Sequence, residues 1–163
     1  MGGFLGRWWL LVLMAMLGAC AQPPRVQQLA APDRTAWNGR LALRIASEPP
    51  QSFFAGFELR GNPRSGELSL LSPLGSTLGR LEWSAGDALL RWNGELRRFP
   101  SIGALTREVT GTELPIGSLF LWLAGEQTRG DGWDADLSGL ADGKIVARRT
   151  EPVPAVEMRL VFE

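Results

Sequence analysis

The chain has 163 residues with 17 basic and 17 acidic side chains, so its formal net charge is zero and it lacks the basic footprint of a nucleic-acid binder. It holds no His and a single Cys, Cys20, which excludes Ser-His-Asp and Cys-His catalysis, zinc held by His or by a cysteine set, and any internal disulfide. Seven Trp and seven Phe stand against no Tyr, and five of those Trp (Trp37, Trp83, Trp92, Trp122 and Trp133) lie beyond the N-terminal segment.

Arg7 supplies positive charge, an apolar run follows from Trp8 to Leu17, and Leu17-Gly18-Ala19-Cys20 closes the segment. That is a charged region, a short apolar region and small residues before a cut. A single-pass membrane helix needs about 20 apolar residues, more than this run supplies. The segment resembles a bacterial lipobox, the plainer alternative being an ordinary secretory signal with a chance cysteine. The resemblance implies that residues 1–19 are a lipoprotein signal peptide, and that Cys20 becomes a diacylated N-terminus. Acyl chains contribute about 0.8 kcal/mol per buried methylene, so several on one residue hold a protein stably to a bilayer. Ala21 stands where an Asp would imply retention in the inner membrane, which points to the outer membrane. Residues 20–36, with Pro23, Pro24 and Pro32 and no apolar periodicity, read as the acylated end and a flexible tether.

From Trp37 to residue 163 the pattern is that of one domain dominated by period-two alternation. Leu41, Leu43 and Ile45 alternate with Arg40, Ala42 and Arg44. Phe53, Ala55, Phe57 and Leu59 alternate with Phe54, Gly56, Glu58 and Arg60. Leu68 and Leu70, Leu81 and Trp83, and finally Val156, Met158, Leu160 and Phe162 continue the apolar phase. This alternation predicts antiparallel strands with one buried and one wet face. Turn signals separate them at Gly61-Asn62-Pro63, Ala85-Gly86-Asp87 and Asn93-Gly94, the last a tight hairpin.

Two helices interrupt the strands. Ser101 caps the first, in which Ile102, Leu105 and Val109 recur at helical spacing before Gly111. Pro115 is placed as the first residue of the second, with Leu119, Trp122 and Leu123 on one face before Gly125. Two short strands are expected around Ala135 to Leu140 and Lys144 to Arg149. The expected fold is mainly β with α, a curved antiparallel sheet with two helices packed on it.

The remaining polar chemistry is sparse. Gly61 to Gly66 lacks a P-loop lysine or a dinucleotide fingerprint. Asp131, Asp134 and Asp136 lack the spacing and closing glutamate of a calcium loop, and read as a solvated hairpin. Glu108 and Glu113 flank a helix end and read as surface charges rather than an acid/base pair. No catalytic residue, metal site or cofactor is expected.

What the chain offers is apolar surface. The inner sheet face carries Phe53, Phe57, Leu59, Leu68, Leu70, Leu81, Trp83, Trp92 and Met158, which would either pack as a core or line an acyl-chain cavity. Composition alone favours the core, because most apolar residues are simply inside. The segment Ser72-Pro73-Leu74-Gly75-Ser76-Thr77 differs: Pro73 and Gly75 shape a turn whose apex is Leu74. A leucine there has no route into the core. On a tethered protein it can dip into a bilayer.

Three segments carry a resemblance to a known family: Trp37-Asn38-Gly39-Arg40-Leu41-Ala42, the Ser72 to Thr77 turn, and Thr110-Gly111 through Leu114-Pro115, Ser118-Leu119, Trp122 and Gly125. With the lipobox they resemble the lipoprotein-localisation receptors of the bacterial outer membrane, the LolB family. The resemblance implies an incomplete antiparallel β-barrel with helices covering a hydrophobic cavity. It also implies a monomer that takes lipoproteins by their acyl chains from a soluble periplasmic carrier and inserts them into outer-membrane lipid, without nucleotide. The leucine of the family's Pro-Leu-Gly turn is needed for insertion, a role that falls on Leu74. The region after Gly125 departs from the family pattern, with Gly132 to Arg149 and Pro152-Val153-Pro154 replacing longer strands. A soluble carrier of the same half-barrel, or a structural lipoprotein with a packed core and no cavity, remain the competing readings.

Overall fold

The computed structural model describes residues 35–129 and 132–163, so the expected signal peptide, Cys20 and most of the expected tether lie outside the described residues. Among the described residues, nine strands and two α-helices follow in chain order. They are β1 (Ala36–Ile45), β2 (Gln51–Gly61), β3 (Gly66–Leu71), β4 (Thr77–Ser84), β5 (Asp87–Trp92), β6 (Glu95–Phe99), α1 (Ile102–Thr110), α2 (Ile116–Leu123), β7 (Trp133–Asp136), β8 (Lys144–Arg149) and β9 (Val156–Phe162).

The strands form one curved, unclosed sheet in the order β6-β5-β4-β3-β2-β1-β9-β8-β7, and every pairing is antiparallel. The fold is therefore the expected incomplete barrel, with β6 and β7 left as its edges. Pairing of β9 with β1 brings the end of the chain to the middle of the sheet, with Leu160 opposite Leu41 and Met158 opposite Leu43.

Register explains which side is apolar. Leu59, Leu68, Leu81 and Leu90 form one cross-strand row, and Phe57, Leu70, Gly79 and Trp92 the next. Side chains that face the same way along such rows touch directly, which is where sheet stabilisation resides. Gly79 is buried in that row, and a Cβ there would collide with the Trp92 ring that lies across it.

The helices close over this inner face. Ser101 caps α1 through its hydroxyl, which accepts from the Ala104 N–H, and Gly111 ends it at φ +72°. Leu105 and Thr106 of α1 are buried, but Val109 is 39 % exposed and does not join them on the buried face as its spacing suggests. Pro115 is the cap of α2 rather than its first residue. Near the C-terminus β7 spans Trp133–Asp136, shorter and earlier than expected. The predicted strand thus ends at Asp136, whose carboxylate accepts the Ser138 N–H, and a 3-10 turn follows at Leu140–Asp142.

Candidate functional site

Two apolar features of opposite character stand out, the filled inner face and the bare turn between β3 and β4. On the inner face, Phe57, Leu59, Leu68, Leu70, Leu81, Trp83 and Met158 are all buried, Leu59 completely. Phe53 and Trp92 are half-buried and pack against that cluster from its margins. The space over the sheet is taken by α2, whose Phe120 ring sits edge-on to Trp37 at 5.6 Å and to Trp83 at 6.1 Å between ring centres. Both geometries are favourable aromatic contacts. Two buried indoles of the core also find acceptors. Trp83 Nε1 donates to the Asn62 carbonyl at 3.2 Å and Trp122 Nε1 to the Thr128 carbonyl at 3.1 Å. The inner face is thus occupied by helix side chains in this conformation. A cleft of about 360 Å³ bordered by Leu90, Trp92 and Val109 lies beside α1.

The turn is built differently. Gly75 N–H donates to the Ser72 carbonyl at 2.9 Å and Ser72 N–H to the Ser76 carbonyl at 2.8 Å. The Ser72 hydroxyl accepts from both the Leu74 and Ser76 N–H groups. Gly75 takes φ +83°, the left-handed region that a side chain would strain. Pro73 fixes its own φ ahead of the apex. Every one of these bonds is made by backbone or by Ser72, so the Leu74 side chain contributes nothing to holding the turn. It is 94 % exposed. An apolar side chain left bare on a rigid turn is positioned for contact outside the molecule.

Behind that turn lies a feature that residue patterning did not single out. A mostly apolar groove of about 500 Å³ runs across the outer face of β3, β2, β1 and β9, bordered by Pro73 and Gly75 at one end. Its floor includes Ala42, Gly56 and Leu71, and Phe54 and Val161 project beside it, 61 % and 50 % exposed. The sequence held the signal: both residues are apolar on the wet phase of their strands. At the β9 side Arg159, and then Arg148, donate to the Glu157 carboxylate, which holds that acid below the usual carboxylate range.

The polar groups weighed for chemistry sit apart. Glu108 pairs with Arg97 and Glu113 with Arg107, all on exposed surface. Asp134 pairs with Arg129, while Asp131 lies outside the described residues. Among the described residues no cluster of acids could hold a metal ion, and no helix is long and apolar enough to cross a membrane.

Together these observations define a class: an open antiparallel half-barrel with two helices on its apolar face and an apolar side chain projecting from the turn at Leu74. The model of the family described as "Outer membrane lipoprotein LolB" matches residues 34–148. Proteins named outer-membrane lipoprotein LolB are similar along most of the chain. That of Bordetella petrii is 32 % identical over 94 % of this chain and 90 % of its own length. That of Chromobacterium violaceum is 28 % identical over 80 % of this chain and 73 % of its own length. That of Shewanella woodyi is 27 % identical over 76 % and 60 %. The chain belongs to the LolB family.

Proposed function

We propose that this chain is a lipid-anchored receptor on the periplasmic leaflet of the outer membrane. It accepts lipoproteins from a soluble periplasmic carrier and releases them into that membrane, with no nucleotide consumed and no catalytic step. Its anchor is the acylated Cys20. The observation that carries this reading is the bare Leu74 on a turn that holds itself without that side chain. A soluble carrier has no use for a side chain aimed at lipid.

Cargo acyl chains are held between the sheet and the helices, against Phe57, Leu59, Leu68, Leu70, Leu81, Trp83 and Met158, with Phe53 and Trp92 at the margins. Because Phe120 and its neighbours fill that space, loading displaces α2. The apolar contacts that α2 surrenders are replaced by those of the acyl chain, so exchange is near balance and needs no external energy source. Delivery follows when the acyl chain finds lipid at the Leu74 turn and α2 returns to the sheet.

The test is binding of a fluorescent long-chain fatty acid, followed by displacement with an acylated lipoprotein. Saturable binding, released by cargo, is the expected result. The filled inner face favours one rival, a structural lipoprotein whose core is simply packed. A folded protein that binds no acyl probe would establish that rival instead.

A further inference from the structure

Among the described residues nothing packs over the groove on the outer face, and its position bears on what would cover it. Leu71, Gly56, Arg40 and Val161 are successive partners in one row across β3, β2, β1 and β9, with Phe54, Ala42 and Arg159 in the adjoining row. A Cβ at Gly56 would crowd Leu71, so the glycine keeps open a strip of floor that a larger residue would fill. The groove opens directly beside the turn that carries Leu74. The three most exposed apolar side chains of this region, Leu74, Phe54 and Val161, therefore lie on one continuous surface.

Charge points to the same occupant. Arg40 and Arg44 stand on the outer phase of β1, and among the described residues neither forms an ion pair, whereas Arg159 and Arg148 are both engaged by Glu157. Free guanidinium groups beside an apolar groove match phosphate oxygens above acyl chains, because Arg binds phosphate in a planar, forked geometry. Chain length also permits it. Fifteen residue steps separate Cys20 from Thr35, a maximum reach of about 50 Å. Along β1 only about 20 Å lie between its start and Ala42.

Resting on the receptor reading above, we propose that this groove is a second membrane-contacting surface. Phe54 and Val161 enter the interfacial layer of a phospholipid bilayer beside Leu74, and Arg40 and Arg44 pair with anionic headgroups. Two contacts fix the tilt of the half-barrel, where Leu74 alone would leave it free to swivel on its tether.

Phe54→Cys labelled with an environment-sensitive fluorophore tests this in the acylated full chain, where Cys20 is blocked by its lipid. The control is the same label at Arg60→Cys, six residues along the same face of β2. On vesicles of phosphatidylcholine and phosphatidylglycerol, emission from position 54 should shift to the blue and be quenched by a lipid-borne quencher, while position 60 remains water-like. In the unacylated Cys20→Ala chain, Arg40→Gln with Arg44→Gln should reduce partition onto these vesicles roughly thirtyfold, given about 1 kcal/mol per basic residue near an anionic surface. Water-like emission at position 54, equal shielding at both positions, shielding of 54 without vesicles, or unchanged partition of the double variant would overturn the proposal. Cargo delivery is scored on the same vesicles. Intact delivery beside a water-exposed position 54 overturns the groove alone, whereas failed delivery beside a lipid-shielded one overturns the receptor reading and leaves the groove.

Discussion

Replacing Leu74 by glutamate separates delivery from folding, because the two draw on different atoms of the same turn. The bonds that hold it run among Ser72, Gly75 and Ser76 and the Leu74 backbone, and none is lost on substitution. The side chain is 94 % exposed, so almost no packing disappears. Substitutions at such sites stay within about 0.5 kcal/mol. With about 1 kcal/mol shifting Tm by roughly 2–8 °C in domains of comparable size, the melting temperature should move by no more than about 4 °C. Entry of one leucine into lipid contributes about 1.5–3 kcal/mol. Losing it should slow incorporation of cargo into liposomes by roughly ten- to a hundredfold, and the glutamate's own desolvation adds to that. Acceptance of cargo from the carrier should be unchanged, since the turn lies away from the inner face. The assay is stepwise: carrier-to-receptor transfer in solution, then receptor-to-liposome transfer, with a thermal melt of the same preparation. A large fall in Tm, or full incorporation, would refute the reasoning.

Other perturbations test other links. Phe120→Ala removes the ring wedged between Trp37 and Trp83, and should cost about 3–5 kcal/mol of stability. It should nevertheless tighten or hasten acyl-probe binding, and unchanged binding would argue against displacement of α2 as the loading step. Glu157 is held below its ordinary value of 4.5, so its contribution is full above that pH and is lost as pH falls below it through the lower folded value. Glu157→Gln should therefore lower Tm slightly at neutral pH, with the difference vanishing in acid. A difference that persists there would show that the ion pairs are not its origin. Cys20→Ala should yield a folded protein found in the soluble fraction, and unchanged membrane fractionation would contradict the assigned anchor.

The sheet was readable because its outer face is wet. Arg40, Arg44, Glu58 and Arg60 mark the exposed phase of β1 and β2, and the apolar phase falls on the buried side, with Phe53 half-buried at its margin. The Asn93-Gly94 hairpin was equally plain, since φ +51° and φ +83° at those residues are the values that its dipeptide favours. Val109 was misplaced because helical spacing cannot tell how far a short helix is rolled against its sheet. The strand expected to run to Leu140 ended at Asp136, where an acceptor side chain captured the following backbone in a turn. The turn at Leu74 was legible in full, because Pro, Gly and Ser act locally. The outer groove was not, because it exists only once four strands are in register and Gly56 lies beneath Leu71. Nor could alternation reveal whether the inner face is open or filled, which depends on where Phe120 of α2 comes to rest.

The most direct test of the account is delivery itself. A purified carrier–lipoprotein complex is mixed with liposomes bearing this chain, without any nucleotide, and the cargo is followed by flotation. The account predicts that cargo leaves the carrier and floats with the liposomes in proportion to the chain present. Cargo that stays on the carrier, or that reaches bare liposomes equally well, would contradict it.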